Sequence, residues 1–212
     1  MKRYLLLVIA ILGIFAISVI GQDMMSEMTV STTHVETHPS QGDVTIIEDG
    51  HAMLVTNEDG LFAHMVTDNL EDGHVYTFWV VIVNNPEACE AFPCTAPEII
   101  NNSDALESEV TWGDSMIYYD GVEPKFNAYV PVGDVHEPWI GNGLTNPTGA
   151  EIHLVVNDHG EFIPEMTADM LGTYRGGCTD DSLPGLFPEA ATSDGEAGPN
   201  TCRLIQDAIF KQ

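Results

Sequence analysis

The chain has 212 residues, with 6 Lys plus Arg against 33 Asp plus Glu, which gives a formal net charge of -27 at pH 7. A field of this sign repels phosphate backbones and anionic lipid surfaces, and it therefore argues against nucleic acid as a partner. The same composition favours a strongly solvated surface.

The N-terminus has the charge and hydropathy pattern that is typical of an export signal. Lys2 and Arg3 precede an uncharged run over residues 4–21, a layout that predicts a signal peptide over residues 1–21. The run also approaches the roughly 20 residues that span a bilayer, so a retained N-terminal membrane anchor is the alternative. Either interpretation predicts a protein that is secreted or anchored on the extracytoplasmic side, with membrane contact only through that anchor.

The next segment, residues 22–41, is rich in Ser, Thr, Met and His and lacks periodicity. This composition predicts a flexible stalk, followed by one domain over residues 42–212. In that domain, DVTIIE and HAMLVT flank Asp49-Gly50. Because Asp-Gly supplies the positive φ angles of a tight turn, the pattern predicts a hairpin there.

The strongest strand signal is HVYTFWVVIV, His74–Val83. Both of its alternating faces are apolar, which predicts a central strand covered on both sides, with Trp79 in the core. Pro164 to Leu171 forms one short helix candidate with proline in its first turn. Thr179 to Asn200 reads as a long surface loop, and the ending CRLIQDAIF favours a last strand over a short helix.

Short strands with turn residues between them predict an all-β protein. We expect an antiparallel β-sandwich, Ig-like or Greek-key, with long loops and at most one short helix. The four cysteines form an even set in an exported chain, which favours disulfides. We expect the pairs Cys89–Cys94 and Cys178–Cys202, since each closes a Gly- or Pro-rich loop.

GAEIHLVVNDHGE, residues 149–161, is the main candidate site. Alternation in AEIHLVV predicts that Ile152, Leu154 and Val156 pack into the core, with the other face meeting water or another segment. Glu151 and His153 share that other face, and His159 follows a predicted Asn157-Asp158 turn. If His159 folds back, these three side chains suit Cu or Zn. The competing interpretation makes each histidine a surface or hydrogen-bonded residue.

Two weaker ligand candidates accompany this set. Trp139 lies in a Gly- and Pro-rich loop, and such loops usually run over the surface, so it is the candidate platform for a ligand. The acidic turns NEDG (residues 57–60) and EDG (residues 71–73) offer oxygen ligands for Ca²⁺, but neither has the full EF-hand spacing.

Three blocks of the chain resemble an uncharacterised family of secreted prokaryotic proteins. These are the YTxW block at residues 76–79, the NNPExC block at residues 84–89 and AEIHLVVxDHG at residues 150–160. The resemblance covers roughly residues 60–210 and implies no activity. More loosely, DGL followed by NLEDGHVYTFW is similar to extracytoplasmic β-sandwich domains of anti-sigma factors, which implies fold alone.

The sequence therefore predicts an exported, acidic, disulfide-braced module that binds an extracellular ligand or protein, or has a structural role, without enzymatic activity. No cofactor is expected under that interpretation. The alternative is a Cu- or Zn-dependent enzyme or redox protein that uses Glu151, His153 and His159.

Overall fold

A computed structural model describes residues 28–133 and 138–211. The predicted signal peptide or anchor over residues 1–21 lies outside the described residues. None of the helices within the described ranges combines the length and the apolar character that a membrane span requires.

The described residues form one antiparallel sheet of nine strands in the order β6-β3-β2-β1-β9-β8-β4-β5-β7. The sheet curls into a half-barrel, and its ends approach where the amide of Asn127 donates to Asp114 Oδ2 at 2.9 Å. The antiparallel β class is thus confirmed, whereas one curled sheet stands where a two-sheet sandwich was predicted. The strands are β1 Thr29–Thr37, β2 Ile46–Asn57, β3 Gly60–Val66, β4 His74–Val83, β5 Ser108–Ile117, β6 Lys125–Pro131, β7 Ile140–Gly141, β8 Glu151–Glu161 and β9 Arg203–Lys211.

The main core fills the concave side of the curl. Ile152, Leu154 and Val156 of β8 are fully buried in it, as the alternation predicts. Strand β4 lies between β8 and β5 and contributes Phe78 to this core, while Trp79 packs in a second cluster on the opposite face. The prediction of a central strand covered on both sides is therefore confirmed.

The predicted hairpin at Asp49-Gly50 is wrong. Strand β2 runs unbroken through both residues, and the register of its pairing with β1 shifts at this point. Asp49 has a φ of 63°, and a Cβ on Gly50 would lie 3.0 Å from the Cβ of Val35. These are the features of a β-bulge, which uses the same backbone conformations as a tight turn but continues the strand.

The predicted stalk is wrong from Thr29 onward. Strand β1 pairs with β2 and β9 inside the sheet, and its Val35 is fully buried. The segment TVSTTHVET is rich in β-branched residues, which suit a strand with one solvated face. Its polarity reflects that solvated outer face, and the ordered domain therefore begins before residue 42.

The described residues contain four short α-helices, which corrects the prediction of at most one. The helix over residues 96–101 begins with a capping box, in which Thr95 and Glu98 bond each other's backbone amides. This Thr-x-x-Glu spacing is visible in the sequence as a helix start. The helices are α1 Ala96–Asn101, α2 Ser103–Leu106, α3 Thr167–Gly172 and α4 Glu189–Thr192. Helix α3 overlaps the one predicted helix, Pro164 to Leu171, and ends one residue later.

Both predicted disulfides are present, Cys89–Cys94 and Cys178–Cys202. The first braces the loop that leads into α1. The second closes the segment of residues 179–201 onto the start of β9. Both segments lie over the convex side of the sheet, where they cover the face of β4 and β8 that carries Trp79 and Val155.

Candidate functional site

His159 lies inside strand β8, and the predicted turn at Asn157-Asp158 is wrong. A register shift between Val156 and Asn157 bends the strand without ending it. The His159 Nδ1–H donates to the Gly176 carbonyl at 2.7 Å, and its Nε2 accepts from Thr77 Oγ1 at 2.8 Å. Burial lowers the pKa of His159 to about 4. The imidazole is therefore neutral at pH 7, with both nitrogens hydrogen-bonded.

The same network fixes Trp79. Its indole Nε1–H donates to Thr77 Oγ1 at 2.9 Å, so the Thr77 hydroxyl hydrogen is directed at His159. A chain of hydrogen bonds thus runs from the Trp79 indole through Thr77 and His159 to the backbone at Gly176. A buried network in which every hydrogen bond is satisfied is rigid and fixes the orientation of its side chains. His159 is therefore a positioning residue for Trp79.

Glu151 and His153 come together farther along β8. His153 Nε2 lies 2.6 Å from Glu151 Oε1, and the amide of Cys94 donates to the same oxygen at 2.7 Å. Both side chains are buried beneath the disulfide-braced loop. The pair lies beside His38, whose pKa falls to about 4 because of its burial and the nearby His153.

The structure does not bring the predicted metal ligands together. His153 and His159 are six residues apart on one strand, a separation of about 20 Å at the usual rise per residue. The Cu or Zn enzyme predicted on Glu151, His153 and His159 therefore has no assembled site. Only the Glu151–His153 part of that prediction corresponds to a contact.

Two other sets of potential ligands lie within 4.8 Å of one another in the described ranges. In the first, His159 faces Cys178 and Cys202, but the sulfurs form a disulfide and offer no thiolate. The second combines Glu71, His74 and Asp158. Arg203 already neutralises the carboxylates of this second set. Its Nη2 lies 2.5 Å from Glu71 Oε1 and 3.4 Å from Asp158 Oδ2.

The acidic turns considered for Ca²⁺ have structural partners. Asn57 Oδ1 accepts from the amides of Asp59 and Gly60 and so closes the β2–β3 turn. In the second turn, Glu71 pairs with Arg203, and Asp72 Oδ1 accepts from the amide of Asp120 at 2.8 Å. These contacts account for the acidic side chains as parts of turns.

Trp139 belongs to an aromatic cluster on the convex side of the sheet. Its ring lies 4.0 Å from that of Trp79 and 4.3 Å from that of Tyr174, and Phe187 packs 5.3 Å from Tyr174. Trp139 Nε1 donates to Asp194 Oδ2 at 3.3 Å, and the same oxygen accepts from the amide of Tyr174. Trp139 is thus half-buried and held in place, where the sequence predicted an exposed platform.

A pocket opens beside this cluster. Its volume is about 80 Å³, several times the space that one water requires. The floor comes from the sheet, and the walls come from both disulfide-braced segments and the loop that carries Trp139. The lining residues are His38, Trp79, Val81, Ala96, Ile99, Ile100, Val110, Trp139, Ile140, Val155, Tyr174, Phe187, Pro188 and Leu204.

The lining is almost entirely apolar. Its polar groups are the His38 imidazole and the Tyr174 hydroxyl, which makes no hydrogen bond with any described residue. His38 Nδ1 accepts from the amide of Ser40, so the ring proton is on Nε2. Burial raises the pKa of Tyr174 well above its ordinary value, and the hydroxyl stays protonated. The pocket therefore offers apolar surface with a few neutral hydrogen-bonding groups.

Sequence reasoning missed Tyr174 and Phe187. Both lie in segments whose Gly and Pro content predicts surface loops. A signal was present, because Leu183, Leu186 and Phe187 are large apolar residues within that loop. Such residues indicate that a loop packs against the fold.

Family models, curated proteins and solved structures give no match to this chain.

Proposed function

We propose that this protein is a non-enzymatic, extracytoplasmic binding module whose pocket receives a small, uncharged, apolar ligand. The observation that carries the proposal is the pocket itself, with a floor of Trp79 and Val155 and walls of Trp139, Tyr174 and Phe187. Small-molecule sites are typically concave and apolar, with a few polar groups that orient the ligand.

Side chains of the floor and of the walls are held in place before a ligand arrives. Trp79 is held through Thr77 and His159, and Asp194 bonds both Trp139 and the backbone of Tyr174. Because these side chains are already ordered, a ligand does not have to immobilise them. Such preorganisation favours affinity in a small pocket.

The charge of the protein supports an uncharged ligand. A net charge of -27 disfavours anions near the surface, and an apolar lining penalises any ion that loses its hydration. The two disulfides fit an oxidising compartment outside the cytoplasm. The ligand class is therefore a small, uncharged, apolar molecule, and toluene serves as the probe.

Saturation-transfer NMR with toluene tests the proposal. We expect transfer from the protein to toluene, with little transfer to benzoate, its anionic relative. Ile140 lines the pocket and is half-exposed, so Ile140→Phe should fill the pocket without unfolding the domain. The matched control is Val132→Phe, which adds a phenyl group at a position 44% exposed to solvent and outside the pocket.

The proposal predicts that Ile140→Phe abolishes transfer to toluene and that Val132→Phe retains it. Equal transfer in the two variants would show that toluene contacts the surface without specificity. No transfer to the unmodified protein would equally contradict a pocket for apolar ligands.

A further inference from the structure

The hydroxyl of Tyr174 is a polar group in the wall of an otherwise apolar pocket. Tyr174 follows helix α3 and is 2% exposed. Its ring packs edge-on against Trp79 and Trp139, with ring centroids 5.9 and 4.3 Å away. The hydroxyl makes no hydrogen bond with any described residue. Burial raises the pKa of Tyr174, so the hydroxyl keeps its proton and is an unused donor.

The other polar side-chain groups of the lining offer no free acceptor. The indole N–H groups of Trp79 and Trp139 already donate within the protein. His38 Nδ1 accepts from the amide of Ser40, which leaves its Nε2–H as a second donor. None of the described lining residues carries a carboxylate or an amide side chain. The side chains of the pocket therefore present donors, and the phenolic oxygen is their one remaining acceptor.

This set of groups discriminates among uncharged ligands. A hydrocarbon that fills the pocket shields the Tyr174 hydroxyl from water and leaves it unpaired, which costs free energy. A ligand with an amide or amine N–H meets no carboxylate or carbonyl oxygen on the lining side chains. A carbonyl oxygen only accepts hydrogen bonds, and it has two lone pairs for them. It is therefore the polar group that matches this pocket.

We infer that the ligand of this pocket is a small neutral carbonyl compound, such as a ketone, whose oxygen accepts a hydrogen bond from the Tyr174 hydroxyl. The apolar part of the ligand packs on the floor of Trp79 and Val155. His38 is partly exposed, so water can satisfy its Nε2–H, and Tyr174 is the group that orients the ligand. The inference rests on the proposed function, because it requires that the pocket bind a ligand.

The segment closed by the second disulfide holds Tyr174 in place for this bond. The amide of Tyr174 donates to Asp194 Oδ2 at 3.0 Å, and the Phe187 ring packs 5.3 Å from the Tyr174 ring. The phenol is thus enclosed by aromatic rings of the floor and walls. A donor that is already positioned loses little freedom when the ligand binds, which favours affinity.

Cyclohexanone and methylcyclohexane are matched probes, since they have the same number of heavy atoms and differ in a carbonyl oxygen against a methyl group. Titrations followed by the Trp139 indole NMR signal measure both dissociation constants. Tyr174→Phe should weaken cyclohexanone binding about three- to tenfold, the usual range for one net hydrogen bond. It should leave methylcyclohexane binding unchanged or slightly tighter. Tyr118→Phe changes a tyrosine of the main core, outside the pocket, and should affect neither probe.

The outcomes separate this inference from the proposed function. If methylcyclohexane binds and Tyr174→Phe does not weaken cyclohexanone binding, the inference is wrong and the apolar pocket stands. If neither probe shifts the indole signal, both proposals are wrong.

Urea unfolding of Tyr174→Phe supplies a second readout. Because the hydroxyl has no hydrogen-bond partner among the described residues, its removal should not lower the free energy of unfolding. A clear loss of stability would show that the hydroxyl is bonded within the protein, and it would contradict the inference.

Discussion

Single residues on the convex side of the sheet act through buried hydrogen bonds. His159, considered as a metal ligand in the sequence, instead links Thr77 to the backbone at Gly176. Through Thr77 it fixes the indole of Trp79, which is the floor of the pocket. Burial leaves this imidazole neutral, and so the arrangement needs no charge partner. The chemistry of the residue is that of a structural hydrogen-bonding group.

Replacing each of the two pocket tryptophans should show how much each contributes to the stability of the core. Trp79 is 3% exposed, and Trp79→Ala should lower the free energy of unfolding by about 3–5 kcal/mol. Trp139 is half-buried and contributes mainly ring contacts, so Trp139→Ala should cost about 1–2 kcal/mol. Urea unfolding followed by circular dichroism measures both. A larger loss for Trp139→Ala would contradict the assignment of Trp79 to the core.

Asp207 gives the stability a distinctive pH dependence. Burial, and then the nearby Glu36, raise its pKa from 3.8 to about 7. The folded state therefore binds more protons than the unfolded state between these values. The extra proton stabilises the folded state. This stabilisation is fully present below pH 4 and is lost as the pH rises through about 7.

Asp207→Asn should therefore stabilise the protein at pH 8, by on the order of 1–3 kcal/mol. The gain should shrink as the pH falls towards 4. Urea unfolding of both proteins at several pH values provides the test, with the exposed Asp43→Asn as the control. A constant difference across the pH range would mean that Asp207 titrates normally.

At the scale of elements, periodicity identified strands better than it identified their ends. The run over β4 was predicted with its observed bounds because both faces are apolar. Asp49-Gly50 and Asn157-Asp158 were read as turns, and each instead accompanies a register shift inside a continuous strand. The local residue preferences of turns and bulges overlap, and pairing with neighbouring strands decides between them.

The two disulfides should contribute unequally to the free energy of unfolding. Chain entropy assigns about 3.5 kcal/mol to the link Cys178–Cys202, whose cysteines are 24 residues apart, and about 2 kcal/mol to Cys89–Cys94, which are 5 apart. Serine double variants at each pair, unfolded in urea, measure these losses. If the Cys178–Cys202 variant lost less free energy of unfolding than the Cys89–Cys94 variant, packing of residues 179–201 would already restrain that segment.

At the scale of the whole molecule, the large negative charge destabilises the folded state. A net charge of -27 on 212 residues repels itself within the folded state. Salt screens that repulsion, since the Debye length falls from about 30 Å at 0.01 M to about 10 Å at 0.1 M. We expect the melting temperature to rise by several degrees between 10 and 300 mM NaCl. Sucrose at equal osmolality controls for solute effects, and a flat or falling response to NaCl would contradict the expectation.

The sequence predicted the β class, both disulfides and the buried face of β8, because each depends on local pattern or cysteine spacing. The pocket could not be predicted in the same way. Trp79, Trp139, Tyr174 and Phe187 are separated by up to 108 positions, and only the sheet order and the closure of the loops bring them together. Three of these rings lie outside regular strands, where periodicity carries no signal.

Indole resonances offer the most direct test of the apolar pocket. The chain has three tryptophans; Trp79 and Trp139 line the pocket, and Trp112, whose indole bonds the Leu171 carbonyl, does not. Two-dimensional ¹H–¹⁵N NMR spectra recorded during a toluene titration should show saturable shifts of the Trp79 and Trp139 indole signals, with a much smaller shift for Trp112. Benzoate should leave all three in place. Equal shifts of the three signals, or none, would contradict a pocket that binds uncharged apolar ligands.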